Sequence, residues 1–438
     1  MDRKSCCVRL SVQPSRVLVD EKLSILVQNL CPDSRVTLHA LYQCEGGHNW
    51  EAFAHYVSDA TGSINVVEEP SLGGTYLGVE PMGLLWSLRP VPGSLPELRL
   101  RKMNVQTPMV FKISVYQSHQ SEGFMDQTPL ASVVVERWYM APGVRRIPVT
   151  EERLTATLFL PPGPGPFPGL LDLWGGAGQL MELRAALLAS HGFASMALDY
   201  LTCKITKETG KAVDNQYFET ALKVLQRHPQ VMESRIAMLG LSFGAAMTLK
   251  MAVYSEAVKL RCAVVISGSH VQPVEGSVAE LYDYFAKNSK NTRTDMENKV
   301  IFHDLLLPIP LDPSLKVDMG RLPCPLLVVV GEDDQNWPSL ESAEDMMEMV
   351  QRAGKRHLLT ILSYPNAGHL IEPPYSPHFR SSVFKAAGTS GKIVVLWGGE
   401  TVTHCRAQED AWSKILVFLY WNLYSDSDTN PVTFPSHL

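Results

Sequence analysis

Several things are missing from this chain, and each absence removes a class of partner. No uninterrupted apolar run reaches the length needed to cross a bilayer, so no membrane-spanning helix is expected. Lys and Arg total 39 against 45 Asp and Glu, and no basic stripe offsets that balance, so nucleic acid is not an expected partner. The 8 cysteines stand singly or as Cys6-Cys7, without CxxC spacing, which speaks for reduced thiols in an intracellular protein rather than a disulfide scaffold. Metal-ligand spacing is equally lacking. The start, Met1-Asp2-Arg3-Lys4, has neither a signal-peptide apolar core nor the acid-poor pattern of a mitochondrial presequence. No GxxxxGK[ST] phosphate loop, repeat or low-complexity tract occurs.

What is present is an ordinary globular composition: 438 residues, 45% apolar and 19% charged. That length predicts two domains. Residues 1–145 alternate short β-like runs with turn signals, among them Ser24-Ile25-Leu26-Val27, Arg35 to Ala40, Met109 to Val115 and Ser132 to Val135. The pattern predicts an antiparallel β-sandwich without an obvious catalytic set. Over residues 146–424 strand and helix patterns alternate from Thr155-Ala156-Thr157-Leu158-Phe159-Leu160 onward, predicting an α/β domain with a mostly parallel sheet. Pro161-Pro162-Gly163-Pro164-Gly165-Pro166 lies between two strands of that domain and reads as a turn, not a linker. Residues 270–318 break the rhythm, as a cover over the site or a surface excursion. Residues 425–438 read as a flexible tail.

One stretch carries most of the chemistry: Met238-Leu239-Gly240-Leu241-Ser242-Phe243-Gly244-Ala245-Ala246. It reads as a buried strand entering a tight turn, with Ser242 in a Gly-x-Ser-x-Gly frame. Such an elbow holds a serine in a strained backbone conformation with its hydroxyl lifted clear of the sheet edge. In an α/β-hydrolase the acid and the histidine follow the serine in that order. Leu326 to Val330 reads as a buried strand ending in Gly331-Glu332-Asp333-Asp334, where a carboxylate can orient an imidazole. Leu358 to Leu362 reads as the next strand and runs into Tyr364-Pro365-Asn366-Ala367-Gly368-His369, which puts a base at the same edge. Asp334 is favoured as the acid through its Gly-x-x-Asp turn, and Asp333 stays open, since either could instead cap the helix near Ser339. His404 is the rival base, without the strand-to-loop setting.

Acyl chemistry also needs donors for an oxyanion. The N–H of Phe243, next after the serine, supplies one, and an early strand-to-helix loop supplies the other. The strand Gly169 to Trp174 leads into Gly175-Gly176-Ala177-Gly178, and a helix from Leu180 to Ser190 follows. Gly175 and Gly176 are therefore the candidate second donors. A dinucleotide-binding turn is the competing reading, but its third glycine falls on Met181.

Together with their flanks these residues resemble the acyl-CoA thioesterase/bile acid-CoA:amino acid N-acyltransferase family. The resemblance spans nearly the whole chain. It rests on Leu72-Gly73-Gly74-Thr75, Gly78 to Trp86, Pro142-Gly143-Val144-Arg145-Arg146, Gly165 to Gly169, Leu183-Arg184-Ala185, Asp334-Gln335-Asn336-Trp337, Gly368 to Tyr375 and Trp397-Gly398-Gly399-Glu400. It implies an α/β-hydrolase domain preceded by a β-sandwich, an acyl-CoA substrate, no cofactor, and a triad on Ser242, Asp334 and His369. Family members with cysteine at the elbow resemble enzymes that pass the acyl group to glycine or taurine; those with serine resemble hydrolases. Ser242 therefore implies hydrolysis of fatty acyl-CoA, with amino-acid conjugation as the alternative. Many members carry lysine after the serine, where this chain has Phe243. Coenzyme A is polyanionic, so a local basic cluster is expected. Arg145-Arg146 and Lys355-Arg356 are candidates, each also readable as a solvated surface pair.

The final Ser436-His437-Leu438 is a variant of the S-K-L peroxisomal address. It implies the peroxisome, with an import receptor as partner, and the cytosol as alternative.

Overall fold

A computed structural model describes residues 7–95, 97–176, 178–385 and 391–425. Ala177 of the Gly-rich loop and the tripeptide Ser436, His437 and Leu438 lie outside the described residues. The chain divides into two compact units: Met1–Tyr139 with Pro373–His378, and Met140–Glu372 with Phe379–Leu438.

The first unit is built from two sheets. One has six strands in the order Arg16–Leu18, Ala131–Trp138, Met109–Gln117, Arg35–Gln43, Asn49–Val57, Arg89–Pro90. The other pairs Arg9–Gln13, Ser24–Gln28 and Ile64–Asn65. All neighbours run antiparallel except Arg16–Leu18 with Ala131–Trp138. Alternation explains the strands: in Met109–Gln117 the side chains of Met109, Phe111, Ile113 and Val115 are buried, while Val110 and Lys112 face out.

An eight-stranded sheet forms the frame of the second unit. Its order is Arg145–Val149, Ala156–Leu160, Ala194–Leu198, Phe167–Leu173, Val231–Leu241, Cys262–Ile266, Leu326–Gly331, Leu359–Tyr364. The last six are mutually parallel; the first two join antiparallel at one edge. Parallel strands covered on both faces must be apolar throughout, and Cys262–Ile266 and Leu326–Gly331 are buried at every position. The Pro-rich turn after Leu160 connects two strands of this one sheet, as its position predicts. The first strand is Arg145–Val149, not the run at Thr155. Its Arg145, Arg146 and Pro148 suit an edge and hide it from a hydrophobicity reading.

Residues 270–318 contain the helix Val278–Lys287, opened by a reciprocal Ser277–Glu280 capping box. They also contain Val300–Ile301, which joins a four-stranded sheet with Ile393–Leu396 and Ser381–Phe384. The 24-residue helix Thr401–Tyr424 closes the unit.

Candidate active site

Ser242 sits between the strand Val231–Leu241 and the helix Phe243–Tyr254 with φ 56° and ψ −119°, a conformation L-residues rarely adopt. The strain is imposed by crowding. A Cβ on Gly240 would fall 2.2 Å from the carbonyl oxygen of Gly244, and one on Gly244 would fall 2.3 Å from that of Leu173. Only glycine lets strand and helix approach this closely. The Ser242 N–H is held by the carbonyl of Ile266 at 2.9 Å, and the side chain remains partly exposed.

The strands on the far side of the sheet bring up the other two groups. Nε2 of His369 lies 2.8 Å from Oγ of Ser242, and its Nδ1 lies 3.0 and 2.9 Å from the two oxygens of Asp334. A carboxylate can only accept, so Nδ1 carries the proton and Nε2 is left to accept from the hydroxyl. Asp334 also accepts from the N–H groups of Asn336 and Trp337 and from Oγ of Ser339, each at 2.9 Å. Both the imidazole and its acid are buried, at 1% and 4% exposure. Asp333 faces elsewhere: its carboxylate accepts from the Gly399 N–H and from Arg380 and Gln335. His404, the rival base, bonds the Gly368 N–H and the Leu370 carbonyl instead of the serine.

Of the residues expected to donate to an oxyanion, Phe243 directly follows Ser242 and Gly175 approaches it. Phe243 is the first residue of its helix, so its N–H has no acceptor within that helix. The Cα of Gly175 lies so near Ser242 that a Cβ there would come within 3.1 Å of the serine Cβ and 3.6 Å of Oγ. Gly176 follows it, close to the ring of Phe384.

Sequence reading missed three features around this core. The ring of Phe243 is buried and stacks on Tyr282 of the helix Val278–Lys287 at 5.1 Å, with Phe285 and Trp337 edge-on at 6.3 and 6.5 Å. The spacing of Tyr282 and Phe285 by three, in a run where Val278, Leu281, Tyr282 and Phe285 recur at helical intervals, was the available signal. Second, the buried pair Arg184 and Asp172 underlies the Gly-rich loop: Nε donates to Oδ1 at 2.7 Å and Nη2 to the Leu173 carbonyl at 3.0 Å. Third, His303 lies between Glu341 at 3.3 Å and Asp304 at 2.8 Å, and the bond to Glu341 leads in raising its pKa to about 9. The basic pairs considered for coenzyme A are already engaged. Arg146 makes a bidentate pair with Glu182 at 2.8 and 2.6 Å, Lys355 donates to the Leu322 carbonyl, and Arg356 donates to that of Leu359.

A strained strand-to-helix serine on a mostly parallel sheet with helices on its faces defines an α/β hydrolase. The family models narrow this: the N-terminal region of acyl-CoA thioester hydrolase/BAAT matches residues 20–151, and the C-terminal region of BAAT/acyl-CoA thioester hydrolase matches residues 213–425. The chain belongs to the acyl-CoA thioesterase/bile acid-CoA:amino acid N-acyltransferase family. Among its relatives, the peroxisomal succinyl-coenzyme A thioesterase of Mus musculus is 38% identical over 93% of this chain and 95% of its own length. The mitochondrial acyl-coenzyme A thioesterase 2 of Mus musculus is 39% identical over 95% and 90%. The bile acid-CoA:amino acid N-acyltransferase of Mus musculus is 37% identical over 95% and 98%. Among the described residues no helix is long and apolar enough to cross a membrane.

Proposed function

We propose that this protein hydrolyses fatty acyl-CoA to free acid and coenzyme A, with Ser242 as nucleophile, His369 as general base and acid, and Asp334 as its orienting partner. The observation carrying this reading is the continuous hydrogen-bond chain from Oγ of Ser242 through His369 to Asp334, on a serine held at positive φ. Oγ attacks the thioester carbonyl carbon as Nε2 takes its proton. The N–H groups of Phe243 and of Gly175 or Gly176 receive the oxyanion. The C–S bond breaks, the thiol of coenzyme A leaves with the proton from His369, and water activated by the same imidazole hydrolyses the acyl-serine. The serine supports water as the acceptor, because an oxygen ester is less reactive toward an amine than a thioester intermediate would be.

The acyltransferase relative keeps one alternative in play, transfer of the acyl group to glycine or taurine. Incubating the enzyme and an acyl-CoA with and without these amines, and identifying the acyl product by mass, separates the two; an amide as main product overturns hydrolysis. Ser242→Ala is expected to lose at least about a thousandfold in thiol release while still binding substrate. Wild-type turnover by that variant would sink the assignment. The proposed compartment is the peroxisome, supported by the tripeptide Ser436-His437-Leu438 and by the peroxisomal relative. Imaging the chain with a fluorescent protein at its amino end, with and without that tripeptide, tests it; unchanged cytosolic signal in both speaks for the cytosol.

A further inference from the structure

Resting on the reading of His369 as the base, we propose that His404 is the positioning residue that sets the loop carrying it, acting through the next peptide group but one on each side. His404 lies in the first turn of the helix Thr401–Tyr424 and is 1% exposed. Its Nδ1 accepts the N–H of Gly368 at 3.0 Å, and its Nε2 lies 2.9 Å from the carbonyl oxygen of Leu370. These are the residues directly before and after His369. A peptide N–H only donates and a carbonyl only accepts, so Nδ1 is bare and Nε2 carries the hydrogen. One neutral tautomer therefore satisfies both groups, and neither the other tautomer nor an imidazolium can. Gln408, one helical turn further on, also donates to the Leu370 carbonyl, at 3.3 Å.

The same segment holds the rest of the loop. The His369 N–H donates to the carbonyl of Trp397 at 2.9 Å, and the two rings stack at 5.7 Å with 16° between planes. A Cβ on Gly368 would lie 2.4 Å from the carbonyl oxygen of Gly398, so the loop is seated on residues 397–398 with no spare room. The Glu400 N–H donates to the Asn366 carbonyl at 2.8 Å. Within this seat the two bonds from His404 fix the Ala367–Gly368 and Leu370–Ile371 peptides, each one residue beyond those that flank the base, and so hold the backbone segment from which its ring projects. Turning either peptide swings Nε2 away from Oγ of Ser242, and a displacement of about 1 Å costs on the order of a hundredfold. His404 touches no reacting atom, since both its nitrogens are bonded to backbone.

Three variants separate positioning from bulk. His404→Phe keeps a flat ring and removes both bonds; His404→Asn returns an acceptor near the place of Nδ1, and His404→Gln a donor near that of Nε2. Each is measured for kcat and KM in thiol release from an acyl-CoA. Each is also measured for the rate at which a fluorophosphonate modifies Ser242, a reaction that needs the base but not acyl-CoA. Thermal melting gives the folded fraction. His404→Phe is expected to lose about a hundredfold in both kcat and modification rate, with KM within about twofold. His404→Asn and His404→Gln are expected to recover part of that loss. Wild-type rates per folded molecule in His404→Phe overturn the proposal; where that variant does not fold, wild-type modification rates in both amide variants do so. An enzyme modified rapidly at Ser242 that releases no thiol from any acyl-CoA overturns the substrate reading alone, and the modification series still decides His404.

Discussion

At the scale of single residues the site is held by a saturated carboxylate. Asp334 receives two backbone N–H groups, one hydroxyl and the imidazole, so both oxygens are fully used as acceptors. Asp334→Asn puts an amide N–H₂ where only acceptors fit, and it favours the wrong imidazole tautomer. Its kcat is expected to fall by on the order of 10³ to 10⁴ with the fold retained, read by thiol release and a thermal melt. His303 supplies a prediction of the opposite kind, one of stability. Its pKa is raised to about 9 by Glu341 and Asp304, against about 6.5 in an unfolded chain. Its contribution is therefore complete below about pH 6.5 and disappears as pH rises through about 9. Urea midpoints of the wild type should fall across that window more steeply than those of His303→Gln. Equal slopes would remove His303 from the account. The residue scale is also where sequence reading went furthest. Ser242, Asp334 and His369 each follow a strand legible as an apolar run, and chain order alone orders them. The choice between Asp333 and Asp334 was open in the sequence, because two adjacent carboxylates on one turn differ only in where their side chains point. Only geometry separates them, turning Asp333 toward the Gly399 N–H and Arg380.

Elements were legible where hydrophobicity alone determines them, and hidden where charge does the work. The strands Cys262–Ile266 and Leu326–Gly331 declare themselves, being buried at every position. The helix expected from Leu180 to Ser190 spans Leu183–Ser190, but Arg184 within it is fully buried, and no periodicity predicts a buried arginine. Its partner Asp172 lies in the strand Phe167–Leu173, so the pair is non-local and invisible in sequence. Burial raises the Asp172 carboxyl and Arg184 pulls it the other way, which makes helix, strand and Gly-rich loop depend on one ion pair. Arg184→Met leaves that carboxyl without its cation and is expected to cost about 3–5 kcal/mol, measured as a lowered urea midpoint. Adding Asp172→Leu should recover most of the loss, because the double variant buries no charge. A double variant as unstable as the single one would mean that the arginine acts through packing with Trp174, whose ring centre lies 5.0 Å from the guanidinium carbon.

For the whole molecule the telling feature is that the two units are not consecutive pieces of chain. Pro373–His378 belongs to the first unit although Glu372 and Phe379 on either side belong to the second. The sequence showed nothing of this, because a short excursion carries no composition shift of its own. Within the first unit the ring of Tyr375 is buried and lies 5.7 Å from the guanidinium of Arg137, which donates to the carbonyls of Val19 and Glu21. His369 stands only a few residues before this segment, so the end of its loop is tied covalently to packing in the other unit. Loosening the packing around Tyr375 should therefore be felt by His369, the proposed base, whereas an equal loosening deep in the sandwich should not. Tyr375→Ala is expected to lower kcat several-fold in the full chain. Ile113→Val, a core change in the same unit costing about 0.5–1.5 kcal/mol, is expected to leave kcat unchanged. Both variants are compared by thiol release per folded molecule, with melting curves run alongside. If Tyr375→Ala matches the wild type, or if Ile113→Val loses as much as it does, the covalent tie transmits nothing, and the excursion serves only to complete the sandwich.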